Sequence, residues 1–448
     1  MTHLTLWLAQ TQLFSGLGFL LLFLALELGL SWVLVVFRVK AHGRGQTQFS
    51  WVEAYRFWVR IFALVLAISF ALTLAVLLQL GALWSGLWTK IGDVASPYVV
   101  VIVTSFFLTR TIFLGAMLFG TRRGRSRLHV LAVVGVALGS TITVVFMVGL
   151  LAWMHTPTGM VWFNGRALVT SIADVMQAPA TLSYVLLYFA TALTITGFVM
   201  LAVVAIQVMR NPIARARIVV LQVALVTAAL GVALHLPGVF GLVEMASDHQ
   251  PARAAATAGY WQSGTPPNLA ISGWPNERLQ RNEGEISWRG RAKHLLAQDN
   301  AGHWIGLDQF SGMTPPLALT FWSFRLLLLL LGMLCIPLLV LVVKARRSSF
   351  DMARWSAGWC RFSRVWQWPA LASFVMAFAY IQGGALPFAV QQIVTLSEVM
   401  SPVSVPVLGL TTVFYLLTYL AIMIGFALLL RHYARFGVVP IRRRRRAL

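Results

Sequence analysis

Few of the thirteen acidic and nine histidine side chains in this 448-residue chain stand where chemistry in an apolar medium would need them. Glu27 is the one carboxylate well inside an apolar stretch, and Arg110 sits at comparable depth in another. A lone charge in hydrocarbon is costly, so such charges pair, or they line a functional path. Two readings of Glu27 and Arg110 stay open: an ion pair locking two helices together, which is the expectation, or part of a proton relay. Most histidines (His3, His42, His129, His155, His249, His294, His303, His432) lie in polar connections or at the ends of apolar stretches; only His235 approaches membrane depth. Arg325 lies near the end of an apolar stretch, where it can snorkel or meet an anion. Two cysteines, Cys335 and Cys360, exclude a disulfide framework, a Cys-rich zinc site and an iron–sulfur cluster. There is no Gly-rich phosphate loop, no G-x-S-x-G elbow and no H-E-x-x-H zinc pair. No catalytic residue or metal site is expected.

The elements that would position these groups are set by composition. The chain is 59% apolar and 11% charged, with a mean hydropathy of +0.79; soluble domains run at roughly 45–50% and about 25%. Only helices and closed barrels satisfy their backbone in lipid, and about 20 apolar residues span the hydrocarbon core as a helix. Nine stretches qualify, near 11–37, 57–81, 97–119, 129–153, 182–208, 218–242, 316–343, 368–391 and 405–430. None alternates with a period of two, which excludes a barrel. The expected fold is an all-α bundle of nine transmembrane helices.

Charge orients that bundle. The net charge of +22 suggests nucleic-acid binding, but the basic residues fall in short runs between apolar spans and not on one soluble face. Of 35 Lys and Arg, 25 fall in connections on one side, Arg38, Arg56, Arg122, Arg217, Lys344 and the Arg442 to Arg446 run among them, and 8 on the other. The positive-inside rule then puts the N-terminus outside and the C-terminus in the cytoplasm, with membrane lipid as a partner. The first stretch lacks a basic n-region and a cleavage site and is expected to be retained. Residues 243–315 interrupt the rhythm with a polar outer segment carrying Trp261, Trp274, Trp288 and Trp304, expected to fold back onto the interface. It divides the chain into a six-helix part (1–242) and a three-helix part (316–448).

Ordered motifs along these stretches suggest a family. They are Phe57-Trp58-Val59-Arg60-Ile61-Phe62-Ala63, Ile91-Gly92-Asp93, Val136-Ala137-Leu138-Gly139-Ser140 and Trp153-Met154-His155-Thr156-Pro157. In the outer segment follow His249-Gln250-Pro251-Ala252-Arg253 and Gly259-Tyr260-Trp261. In content, order and spacing the chain resembles subunit I of the bd-type quinol oxidases of bacteria and archaea. That resemblance implies a multi-pass protein of the cytoplasmic membrane. It also implies quinol oxidation at the outer segment, with electrons passing through two b haems and one d haem to oxygen.

Haem iron needs axial His, Met, Cys or Tyr ligands. The family's first-span histidine falls on Leu20, its fifth-span histidine on Tyr188 and its seventh-span methionine on Leu327. Its third-span glutamates fall on Ile102 and Arg110, or on Val101 and Thr109 with one gap. The E-x-G-R-Q-P-W motif reads Gln382-Gly383-Gly384-Ala385-Leu386-Pro387-Phe388, and the lysine and glutamate of the quinol loop become Arg253 and Ala258. Packing residues such as Gly29 and Thr196-Gly197 persist while iron ligands and proton-carrying acids do not. The expectation is a haem-free, redox-inactive subunit, structural or quinone-binding, with bulky side chains filling the lost haem sites. Quinone would meet His249, Arg253 and Trp261, and a second bd-type subunit that bears the haem would be the partner, as the resemblance implies paired subunits of similar fold. The alternatives are an active oxidase with relocated haem ligands and a repurposed membrane binding protein.

Overall fold

The computed structural model describes residues 3–43, 47–119, 127–210, 216–310 and 312–436. Arg44, Arg122, Arg123, Arg125, Arg215 and the Arg442 to Arg446 run lie outside them. The first half contains α1 (His3–His42), α2 (Gln48–Leu83), α3 (Ser85–Leu108), a π-helical turn (Thr109–Leu114), α4 (Gly115–Phe119) and α5 (Arg127–His155). A small hairpin, β1 (Met160–Phe163) and β2 (Arg166–Val169), and the short α6 (Ile172–Met176) lead to α7 (Ala180–Arg210) and α8 (Arg217–His249). The outer segment holds α9 (Pro251–Ala258) and the antiparallel hairpin β3 (Leu269–Asn276) and β4 (Arg281–Trp288). The chain then re-enters as α10 (Leu317–Arg347), followed by α11 (Ala357–Val365) and α12 (Gln367–Gly383). The strands β5 (Phe388–Val390) and β6 (Val394–Thr395), α13 (Leu396–Val399) and α14 (Val405–Phe436) complete the order.

Among the described residues, eight helices are long and apolar enough to cross a membrane. They cover eight of the nine predicted stretches. The ninth, 368–391, is helical only as the 17 residues of α12, which at about 1.5 Å per residue reach roughly 25 Å. Its second half turns away after Gly383-Gly384. Pro387 has no N–H to continue the ladder and disfavours helix in the residue before it.

Burial separates inner from outer helices. The apolar windows of α1 and α7 are the most buried among the long helices, whereas those of α3 and α14 hold few buried residues. A helix apolar all round is either central or lipid-facing. Here α1 packs on α2, α5, α7 and α14, and α7 packs on α8. Gly29 permits the α1–α7 approach, because a β-carbon there would collide with Thr196 and lie 2.8 Å from the Ala192 carbonyl. Small residues substitute for hydrophobic attraction in such interfaces, since lipid tails are as apolar as leucine.

The outer segment is tied to the bundle by Arg325 of α10. Its Nε donates to the Ile271 carbonyl (3.0 Å) and Nη1 to the Thr257 carbonyl (2.8 Å), while Nη2 reaches the Ala270 carbonyl. The guanidinium also lies over the Phe321 ring, 3.3 Å from its centroid. Ala255, Ala256, Ala258, Tyr260, Leu296, Leu307 and Leu317 form a small core beneath the segment, with Trp261 and Trp304 packed against it. Trp274 and Trp288 stay exposed on the hairpin.

Candidate functional site

Arg253 is the most deeply buried charge of the outer segment, 1% exposed. Pro251 starts α9, a position where its missing N–H costs nothing. The first turn aims Arg253 inward between α5, α7 and α12. Nη1 donates to Gln250 Oε1 (2.9 Å) and to the Tyr184 hydroxyl (3.3 Å). The guanidinium carbon lies 4.1 Å from the Tyr380 ring centroid. Tyr184 also meets His155 Nδ1 at 2.6 Å, and Gln250 Nε2 donates to the His155 carbonyl at 2.8 Å. Thr257 and Tyr380 share a hydroxyl–hydroxyl hydrogen bond of 3.0 Å. Gly384 makes room for the guanidinium: a β-carbon at that position would stand 2.7 Å from Arg253 Nε.

The electrostatics of this cluster are unbalanced. No carboxylate of the described residues lies within 4 Å of Arg253, and Nε and Nη2 have no hydrogen-bond partner. Ala258 is fully buried. Burial works against the charge, but Tyr380 and Tyr184 outweigh it and hold the Arg253 pKa above its ordinary value. A buried cation with unused donors favours a guest that accepts hydrogen bonds, such as a carbonyl oxygen.

The structure does not gather the three residues expected around a quinone. Arg253 is inside the bundle, His249 is exposed at the last residue of α8, and Trp261 is half-buried beside the hairpin, donating Nε1 to Asn282 Oδ1 at 2.9 Å. The neighbours of Arg253 are Gln250, Tyr184, His155 and Tyr380 instead. His155 carried a signal only as part of the Trp153-Met154-His155-Thr156-Pro157 motif. Nothing in the local sequence pointed to Tyr184 or Tyr380, which arrive from distant helices.

A cavity of about 140 Å³ lies on the far side of His155. Its walls are apolar except for His155 and Gln382, and His155 Nε2 has no hydrogen-bond partner among the described residues. A second cavity of about 50 Å³ touches Tyr184 and Tyr188. Both are below the roughly 300–1,000 Å³ of typical small-molecule sites. Leu20 and Leu327 are fully packed in the core. Tyr188 donates its hydroxyl to the Leu21 carbonyl at 2.6 Å, and Ile102 is partly buried. Both ring nitrogens of His235 are engaged, Nδ1 with the Gly231 carbonyl (2.8 Å) and Nε2 with Thr191 (3.2 Å). His129 meets the Ala116 carbonyl and the Tyr55 hydroxyl. Among the described residues no three His, Cys, Asp or Glu side chains gather as a metal site.

Glu27 and Arg110 do meet. Arg110 Nη2 lies 3.6 Å from Glu27 Oε2, and Ser140 donates to Glu27 Oε1 at 3.1 Å. Arg110 stands on the π-helical turn, its guanidinium carbon 3.1 Å from the Phe106 ring centroid.

The comparisons agree with this architecture. A family model described as cytochrome bd terminal oxidase subunit I matches residues 8–438. The cytochrome bd-II ubiquinol oxidase subunit 1 of Escherichia coli (strain K12) is 23% identical, across 93% of this chain and 93% of that protein. The cytochrome bd ubiquinol oxidase subunit 1 of Bacillus subtilis (strain 168) is also 23% identical, across 71% of this chain and 70% of that protein. In the solved bd oxidase of Geobacillus thermodenitrificans, one chain superposes with a TM-score of 0.82 at 19% identity, covering 97% of this chain and 99% of that one. With eight long helices, an outer segment docked through Arg325 and a family match across nearly its whole length, this chain belongs to the cytochrome bd terminal oxidase subunit I family.

Proposed function

We propose that this chain is a haem-free member of its family, which binds a quinone-type carbonyl ligand at Arg253 and acts as a structural subunit beside a haem-bearing one. One observation carries the reading: Leu20, Tyr188 and Leu327 stand where the family holds iron, and these residues do not fit a haem. Two have no ligating atom, and the third spends its hydroxyl on the Leu21 carbonyl. Haem iron needs a free His, Met, Cys or Tyr atom. The packing at Leu20 and Leu327 and the small cavity beside Tyr188 support the same reading.

Arg253 supplies the quinone half. Its Nε and Nη2 are donors without acceptors, and a quinone oxygen would satisfy them. Ala258 offers no base for a proton released on quinol oxidation, which favours binding over turnover. His249 and Trp261 would then contact only the ligand's outer portion, and His155 and Tyr184 would order the cluster behind Arg253. The Lys and Arg excess on one side supports an orientation with the N-terminus outside and the C-terminus in the cytoplasm of a bacterial membrane. The exposed apolar faces of α3 (Val100, Val103, Phe107) and α14 (Leu410, Phe414, Leu417) would meet lipid or the second subunit.

A dithionite-reduced minus oxidised spectrum of the purified chain tests the reading. Absence of haem bands is expected, together with co-purification of a haem-bearing oxidase subunit from the native membrane. Stoichiometric haem in the isolated chain overturns it. In that case His155, whose Nε2 is unpartnered beside the 140 Å³ cavity, becomes the first ligand to test.

A further inference from the structure

The opposite end of the bundle holds a second site that the proposed function does not use. Where α2 and α8 begin and α14 ends, a cavity of about 360 Å³ opens, a volume within the range of small-molecule sites. Arg56, Arg60, Arg217 and Arg435 line it, with Glu53 as the one carboxylate on its wall and Trp58 at its buried floor. Arg56 and Arg60 are exposed and four residues apart, so they project from one face of α2 and repel each other.

Internal pairing does not neutralise this pocket. Arg217 is matched by Asp351, Nε to Oδ1 at 2.8 Å. No carboxylate of the described residues comes within 4 Å of Arg56, Arg60 or Arg435. Arg431, Arg210 and Arg364 add their positive fields at Arg435. Guanidinium forks match the oxygens of a phosphate in pairs. Basic pockets between the ends of membrane helices are suited to phospholipid head groups. Deeper along the same helices, Val226 of α8 and Leu428 and Leu429 of α14 are exposed apolar residues that acyl chains can cover.

We propose that this pocket binds the phosphate of an anionic phospholipid. The test uses the full chain in detergent, with phosphatidylglycerol and phosphatidylcholine of identical acyl chains as probes and bound lipid counted by native mass spectrometry. Phosphatidylglycerol is expected to bind the wild type preferentially. In the Arg56→Gln/Arg60→Gln variant its affinity should fall at least tenfold, with phosphatidylcholine binding unchanged. An Arg289→Gln variant at the other end of the molecule should behave as wild type. Undiminished phosphatidylglycerol binding in the double variant overturns the proposal. Inorganic phosphate displacing the lipid at equal concentration also overturns it, by assigning the pocket to a free anion. Arg435→Gln gives the same readout should the double variant fail to fold.

Discussion

At the scale of single residues, two buried charges have opposite surroundings. Arg253 has no counterion among the described residues, so replacing it with an apolar side chain of similar length orphans no charge there, but it takes the donor from buried Gln250 Oε1. Arg253→Met should therefore cost roughly 1–3 kcal/mol of stability. The same variant should weaken binding of a short-chain quinone at least tenfold, since hydrogen bonds to charged groups contribute roughly 1.5–3 kcal/mol. Isothermal titration alongside a thermal melt measures both, and unchanged quinone affinity would refute the assignment of Arg253. Glu27 is different, because its carboxylate and Arg110 need each other. Breaking a buried pair by removing one partner costs about 3–5 kcal/mol. Glu27→Gln should therefore lower the yield of folded protein, and Glu27→Gln/Arg110→Gln should recover part of it. Normal yield with a lost transport activity would point to a relay instead.

At the scale of elements, one side chain holds the β3–β4 hairpin against α10. Arg325 donates to carbonyls of α9 and β3. Arg325→Ala should loosen the hairpin by roughly 2 kcal/mol, seen as faster proteolysis in the 277–280 turn while α10 itself stays protected. A second tie joins α13 to α3, where Lys90 donates to Glu398 at 2.9 Å and Glu398 completes a capping box with Thr395. The hydrogen bond from Lys90, then those from Thr395, push the Glu398 pKa down to about 2 from an ordinary 4.5. A carboxyl whose pKa is lowered on folding stabilises the fold above its unfolded value and loses that contribution as pH falls. The α13 docking should thus weaken between about pH 4.5 and pH 2, and Lys90→Ala should flatten that dependence in melts across the window. The pair is half exposed, which keeps the effect small.

At the scale of the whole molecule, the helices sort by burial around α1 and α7, and charge sorts by end. The Arg253 cluster lies at the end reached by α5, α9 and the outer segment, and the arginine-lined cavity lies at the other. The proposed orientation rests on the Lys and Arg distribution. A green fluorescent protein fused after Leu448 should fluoresce, whereas an alkaline phosphatase fused there should be inactive; the reverse pattern would invert the topology.

The apolar stretches and the polar outer segment were legible in the sequence because each depends on a local run of about twenty residues, or on its interruption. The motif order that identified the family was equally local. That Leu20 and Leu327 offer no iron ligand could be read directly, since leucine cannot bind iron in any fold. The contents of the Arg253 site could not. Its partners come from α5, α7 and α12, up to more than a hundred residues away, and they meet only because close helix packing brings them there. His249 and Trp261 stand nearer in sequence, but the helical turn at Pro251 sends Arg253 inward and leaves them outside. Hydropathy and ligand chemistry belong to single residues and were plain before any folding was known. Which polar groups converge, and which cavities survive, depends on how the helices cross, and that is a property of the packed bundle.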